Sequence, residues 1–362
     1  MYIGREGTMN ILFVRLSYIG DVLHATPAAK ALKERYPEAK LHWICTPSLS
    51  PLLEGNPYVD EIIPWERDLY EAHSKKLHLP IMYRMYKELR QKLKPYHFDM
   101  AVDVQGRLIS GLVLMASGAP RRLGLSGTKE LNWLFTNEKA KGHYDHVIKR
   151  YNDVVALTGA DVSDTHMVLN LFPQEIEWAM NELAILEAAK PTIGLVFGTS
   201  WASKEWTEDH WHSLLNSIYP WANIILLGGE RERELTDRII YDVPLEAINT
   251  YDAVGRTNLR ETAALINECQ LLITGDTGAL HMAEALEVPS IGIFGPTDPA
   301  IWGTLSDKSL SLVASGVDCL GCRKRTCPRG DHLCMEALAP ERVERAIRRL
   351  LKMETMQALV SE

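Results

Sequence analysis

Short apolar runs punctuate the chain, and most are followed by a polar turn and then a stretch with helical spacing. In the first half the runs are Ile11–Leu16, Leu41–Cys45, Val59–Ile63, Phe98–Val104 and Arg121–Leu125. They are largely continuous rather than alternating, which is the pattern of strands buried on both faces of a parallel sheet. The helices predicted between them are Val22–Pro37, Pro47–Glu54, Tyr83–Leu93, Arg107–Ser117 and His146–Thr158. Asp68–Pro80 is polar without apolar periodicity and reads as an insertion or mobile loop. Ser126–His143 is also polar and reads as a loop anchored by Trp133 and Phe135.

The alternation pauses over Val162–Phe172, an extended segment, and Pro173–Ala189, a helix rich in Glu and Ala. It restarts with strands Ile193–Phe197, Asn223–Leu227, Ala247–Tyr251, Leu271–Thr274, Ser290–Phe294 and Ser309–Val313. The intervening helices start near Thr207, Glu230, Leu259 and Thr277. Two strand–helix series predict an α/β chain of two doubly wound domains facing each other across a cleft. The expected domains are residues 9–172 and 173–339. A final helix within 340–362, arginine-rich on one side, is expected to dock back on the first domain.

Composition narrows the function classes. A length of 362 residues with 46% hydrophobic and 24% charged residues supports two cores. The net charge of -8 argues against wholesale nucleic-acid binding. No apolar run is long enough to span a bilayer, and the first residues lack a signal-peptide core. Met9, just ahead of the first strand, is a candidate start, and a cytoplasmic location is expected.

Ligands of open parallel sheets bind at the carboxyl ends of the strands, so the residues there are the site candidates. In the first domain, Gly20 and Asp21 follow the first strand at a helix start. Asp21 is placed to accept a proton from a hydroxyl or simply to cap the helix. In the second domain, Thr199, Ser200 and Lys204 follow the first strand, as hydroxyls and a cation suited to a diphosphate or as solvated loop residues. Glu230 follows Gly228-Gly229, where a carboxylate suits ribose hydroxyls or a helix start. Asp276, Thr277 and Gly278 open the helix between Leu271–Thr274 and Ser290–Phe294, a ready phosphate site, with His281 one turn on. Asp276 as a cap and His281 as a satisfied buried histidine are the competing readings. Neither a complete G-x-G-x-x-G fingerprint after the first strand of either series nor a G-x-S-x-G elbow is present, which disfavours a nicotinamide enzyme and a serine hydrolase.

Over most of its length the chain resembles glycosyltransferase family 9, the ADP-heptose:lipopolysaccharide heptosyltransferases. The resemblance is carried by RLSYIGDVLHATPAAKALK, GTSWASKEWTEDHW, LLGGERE and, above all, ITGDTGALHMAEALEVPSIGIFGPTDP. It implies a GT-B fold of two Rossmann-like domains, the first for the acceptor and the second for the ADP-sugar. It also implies inverting transfer of heptose, without a catalytic metal or other cofactor, to the lipopolysaccharide inner core at the cytoplasmic membrane face, where any membrane contact is peripheral. Asp21 then matches the general base. Thr199, Ser200, Lys204, Glu230, Asp276, Thr277, Gly278 and His281 match the donor site. Arg107 and Arg121 are candidates for the anionic acceptor, while Arg122 reads as a surface arginine. The rival readings are a GT-B transferase using another nucleotide-sugar or acceptor, a nucleotide-sugar epimerase or hydrolase, and a noncatalytic binding protein.

Cys319, Cys322, Cys327 and Cys334 cluster within sixteen residues. Such a cluster holds a structural zinc or iron, or remains as reduced thiols in a reducing compartment. Its spacing matches no common zinc ribbon.

Overall fold

The computed structural model describes residues 8–128, 130–142, 146–246 and 248–352. They divide into two compact units that part between Asn170 and Leu171.

The first unit is built on a parallel six-stranded sheet. Its strands are β1 (Asn10–Val14), β2 (Lys40–Cys45), β3 (Glu61–Pro64), β4 (Met100–Asp103), β5 (Arg121–Leu125) and β6 (Glu138–Ala140). The spatial order is β3-β2-β1-β4-β5-β6. The second unit repeats this plan with β7 (Thr192–Val196), β8 (Asn223–Leu227), β9 (Thr250–Asp252), β10 (Leu271–Gly275), β11 (Ser290–Phe294) and β12 (Leu310–Val313). Its order is β12-β11-β10-β7-β8-β9, the same topology read from the other side. In each sheet the strand order reverses beside the first strand, between β1 and β4 and between β7 and β10. Loops diverge there and leave a crevice at the carboxyl ends.

The apolar runs explain the sheets. Ile11, Leu12, Phe13 and Val14 are fully buried, as are Leu271, Leu272 and Ile273, because helices cover both faces. At β10, a Cβ on Gly275 would sit 2.8 Å from Thr199 Cγ2, so glycine allows the two strand-end loops to approach.

Two expectations differ. Asp68–Pro80 is mostly helical: one helix spans Arg67–Lys75 and another Leu79–Leu93. The first buries Tyr70 against Trp65 at 5.7 Å and is laced by Arg67 to Asp68 and Glu71, so a single aromatic replaces the usual apolar stripe. The polar loop after Ser126 contains the edge strand β6, whose Glu-Lys-Ala sequence has no apolar run to announce it. The helix Pro340–Leu350 packs within the second unit. Val343, Ala346 and Ile347 form a stripe at helical spacing in the second unit's core, and Arg342 Nη1 donates to the Val313 carbonyl at 2.7 Å. Residues 353–362 of the expected docking segment lie outside the described residues.

Candidate functional site

The second unit places a lysine–carboxylate pair at its topological switch point. The chain leaves β7 through Gly198 and Thr199 and winds into a short turn, Ala202–Lys204. That turn is anchored from behind. Trp206 and Trp211 are buried edge to face at 4.9 Å, and Trp206 Nε1 donates to the Leu338 carbonyl at 2.9 Å. Thr199 Oγ1 donates to the Trp201 carbonyl at 2.8 Å. Lys204 is thereby delivered to Asp276, which follows β10, with Nζ 2.6 Å from Oδ2. Both side chains are about nine-tenths buried. The ammonium also lies 4.5 Å from the centre of the Trp201 ring, a cation–π contact.

Asp276 is therefore an ion-pair partner and not a helix cap. The N-cap of Gly278–Ala285 is Thr277, and no side chain caps that end. Thr277 Oγ1 instead shares a hydrogen bond of 2.9 Å with Thr274 Oγ1. The first-turn N–H groups and the positive end of the dipole are left for a ligand. His281 is buried within this helix. Glu230 is exposed at the carboxyl end of β8. Gly255, at φ +72°, lies against it, and a Cβ there would be 3.2 Å from the Glu230 Cα. Ser200 is exposed beside Thr199.

In the first unit the switch point is occupied by Asp21. It lies in the first turn of the helix Ile19–His24, and the N-cap is Tyr18, not Asp21. Its carboxylate forms an ion pair with buried Arg15 and accepts from the Tyr151 hydroxyl at 3.1 Å. Burial works against the charge on Arg15, but Asp21, Tyr151 and Asp103 together hold its pKa above the ordinary value. Burial also pushes the Tyr151 phenol up, so it stays a donor.

Asp103, at the end of β4, is fully buried and was not singled out by the sequence. It accepts from Ser110 Oγ at 2.7 Å, Asn132 Nδ2 at 2.8 Å and the backbone N–H groups of Gln105 and Gly106. Burial raises its pKa while these donors oppose the rise. Its position at a strand end was the available signal. Arg107 follows on the same loop, more than half exposed, and pairs with Glu130 at 3.0 Å.

Arg121 opens β5 opposite Met100, the first residue of β4, and so lies at the amino edge of the sheet. Its guanidinium pairs across the strands with Glu138 of β6, with bonds of 2.6 and 2.9 Å. Arg122 is likewise tied to the Phe135 and Ala119 carbonyls.

Cys319, Cys322, Cys327 and Cys334 are all unbridged and line one pocket of about 30 Å³ with Asp331 and His332. Structural zinc needs four ligands at about 2.0–2.3 Å from one point. Among the described residues no group of three or more His, Cys, Asp or Glu side chains is placed to hold a metal ion, so the zinc or iron expectation gains no support. Backbone N–H groups, that of His332 foremost, hold the Cys327 thiol below its ordinary pKa. Burial first, and then the other three thiols, push Cys334 up to about 11.

The fold is that of a GT-B glycosyltransferase. The family model for glycosyltransferase family 9 (heptosyltransferase) matches residues 86–332, and the chain belongs to that family. It is 24% identical over 375 residues to lipopolysaccharide heptosyltransferase 1 of Pseudomonas aeruginosa, covering 95% of this chain and 98% of that one. A family 9 glycosyltransferase from Veillonella parvula superposes with a TM-score of 0.80 at 19% identity, over 96% of this chain and 98% of the other. The E. coli heptosyltransferase WaaC with ADP-2-deoxy-2-fluoro heptose gives 0.72 at 22% identity, over 94% and 99%. Among the described residues no helix is long and apolar enough to cross a membrane.

Proposed function

We propose that this enzyme transfers heptose from ADP-heptose to the lipopolysaccharide inner core, with inversion and without a catalytic metal. The observation that carries the donor assignment is the Lys204–Asp276 pair beside the uncapped start of Gly278–Ala285. A lysine, a hydroxyl and free backbone N–H groups at a switch point together suit a diphosphate. Thr199, Ser200 and Thr277 would supply the hydroxyl donors and Glu230 the acceptor for ribose hydroxyls.

Asp21 acts as the general base. As the acceptor hydroxyl attacks the anomeric carbon, its proton passes to the Asp21 carboxylate and the bond to the ADP oxygen breaks. Arg15 and Tyr151 fix the direction of the carboxylate, which keeps the reacting geometry without reorganisation. The departing ADP gains negative charge, and donors already aimed at it lower the barrier by several kcal/mol. Arg107 contacts the anionic acceptor at the carboxyl edge of the first sheet.

The decisive experiment is transfer from ADP-heptose onto defined truncated core acceptors by wild type and Asp21→Ala. Wild type should transfer, while the variant should bind ADP normally and transfer nothing measurable. Near-normal transfer by the variant removes the base assignment. The enzyme works at the cytoplasmic face of the inner membrane by peripheral contact. Flotation with acceptor-bearing liposomes tests this, and no association with or without acceptor counts against it.

A further inference from the structure

The Lys204–Asp276 pair carries no net charge, and the fields of a cation and a carboxylate 2.6 Å apart largely cancel at distances long compared with that separation. A diphosphate approaching the second unit's switch point therefore meets a good hydrogen-bond donor but little excess positive charge from this pair. The excess lies elsewhere on the same edge, in a segment that the family motifs do not include.

Arg323, Lys324 and Arg325 are consecutive and exposed. Their loop is fastened to the donor site at three points. Gly321 N–H donates to the Gly295 carbonyl at 2.9 Å and Arg323 N–H to the Pro296 carbonyl at 2.7 Å, which pins the loop to the exit of β11. Ser203 Oγ donates to the Lys324 carbonyl at 2.7 Å, which pins it to the turn that carries Lys204. The Arg325 guanidinium lies 5.4 Å from the centre of the Trp201 ring, and Lys204 Nζ lies 4.5 Å from the same centre. Arg323 sits 5.9 Å from the Trp302 ring. Among the described residues none of the three cations has a carboxylate partner, although the chain carries a net charge of -8.

We infer that Arg325, flanked by Arg323 and Lys324, supplies the counter-charge for the donor's diphosphate that the Lys204–Asp276 pair cannot supply. Trp201 is the spacer that holds the two cations on one aromatic platform. The cysteine pocket adjoins the same loop, with Ser203, Pro296 and Lys324 also in its lining. Arginine suits this role because its planar fork can bind two phosphate oxygens while stacking on an indole. The inference rests on the donor-site reading above.

The test is calorimetric titration of wild type, Arg325→Ala and Arg325→Lys with adenosine, AMP and ADP, each variant first checked by thermal melting. Arg325→Ala should weaken ADP by about tenfold and AMP by less, while adenosine changes by less than about twofold. Arg325→Lys should recover part of the loss. ADP affinity should fall less steeply with sodium chloride in Arg325→Ala than in wild type. Unchanged ADP affinity in Arg325→Ala, or an equal loss for adenosine, overturns the inference while leaving the donor site standing. Failure of wild type to bind ADP removes the donor-site reading and this inference with it.

Discussion

The two switch points use the same elements for opposite purposes. Each joins a cation to a carboxylate where a parallel sheet of one shared topology reverses its order. In the first unit the cation is the inner member: Arg15 is 7% exposed and Asp21 18%. The carboxylate is the more accessible group, and Tyr151 supports it from within the unit. In the second unit both members are equally buried, and Arg325 shares the Trp201 ring with Lys204. Under the proposed function, one arrangement presents a base and the other an anion cradle. Fold alone does not distinguish them. The order of burial within the ion pair does.

Breaking the first pair should have the largest effect. Asp21→Asn keeps the size of the side chain and removes the base, and transfer should fall by about 10²- to 10⁴-fold in steady-state assays with ADP affinity unchanged. Lys204→Ala should lower transfer by about 10²-fold and weaken ADP as well, because it removes a donor and leaves Asp276 buried and unpaired. Tyr151→Phe should cost only about threefold to tenfold in kcat, since Arg15 still orients Asp21. If Tyr151→Phe matched Asp21→Asn, the phenol and not the carboxylate would be the group that matters.

A third ion pair, distinct from these two, calibrates the comparison. Arg260 and Glu175 tie the helix Leu259–Asn267 to Pro173–Glu182, and Glu175 also accepts from the Phe172 N–H at 2.8 Å. The Arg260 hydrogen bond is the main cause holding the Glu175 pKa below its ordinary value. A depressed carboxylate pKa stabilises the fold above the unfolded value, near 4.3, and that contribution disappears as pH falls through the folded value. Glu175→Gln should therefore destabilise by about 1–2 kcal/mol at pH 7 and by far less at strongly acid pH, as read by denaturant melts. Transfer should be unaffected at pH 7.

Much of this was legible in the chain. Continuous apolar runs located most of the strands, and β5, β8 and β11 match to the residue. The strand-end rule then selected Asp21, Lys204 and Asp276. Partners at long sequence separation were not legible. Nothing local links Arg15 and Asp21 to Tyr151, or Lys204 to a carboxylate 72 residues away. The place of Arg121 at the amino edge depends on strand register, which its residue type does not announce. The tryptophans around Lys204 looked alike in sequence, yet Trp206 and Trp211 are core anchors and Trp201 is not.

That difference among tryptophans makes Trp201 an optical reporter. An indole with an ammonium 4.5 Å and a guanidinium 5.4 Å from its centre emits under the influence of both charges, while Trp206 and Trp211 are buried in the core. An anion that engages those cations changes the field at the ring. Occupancy of the second unit is then readable from intrinsic fluorescence without a label, and Trp201→Phe should remove that change in emission.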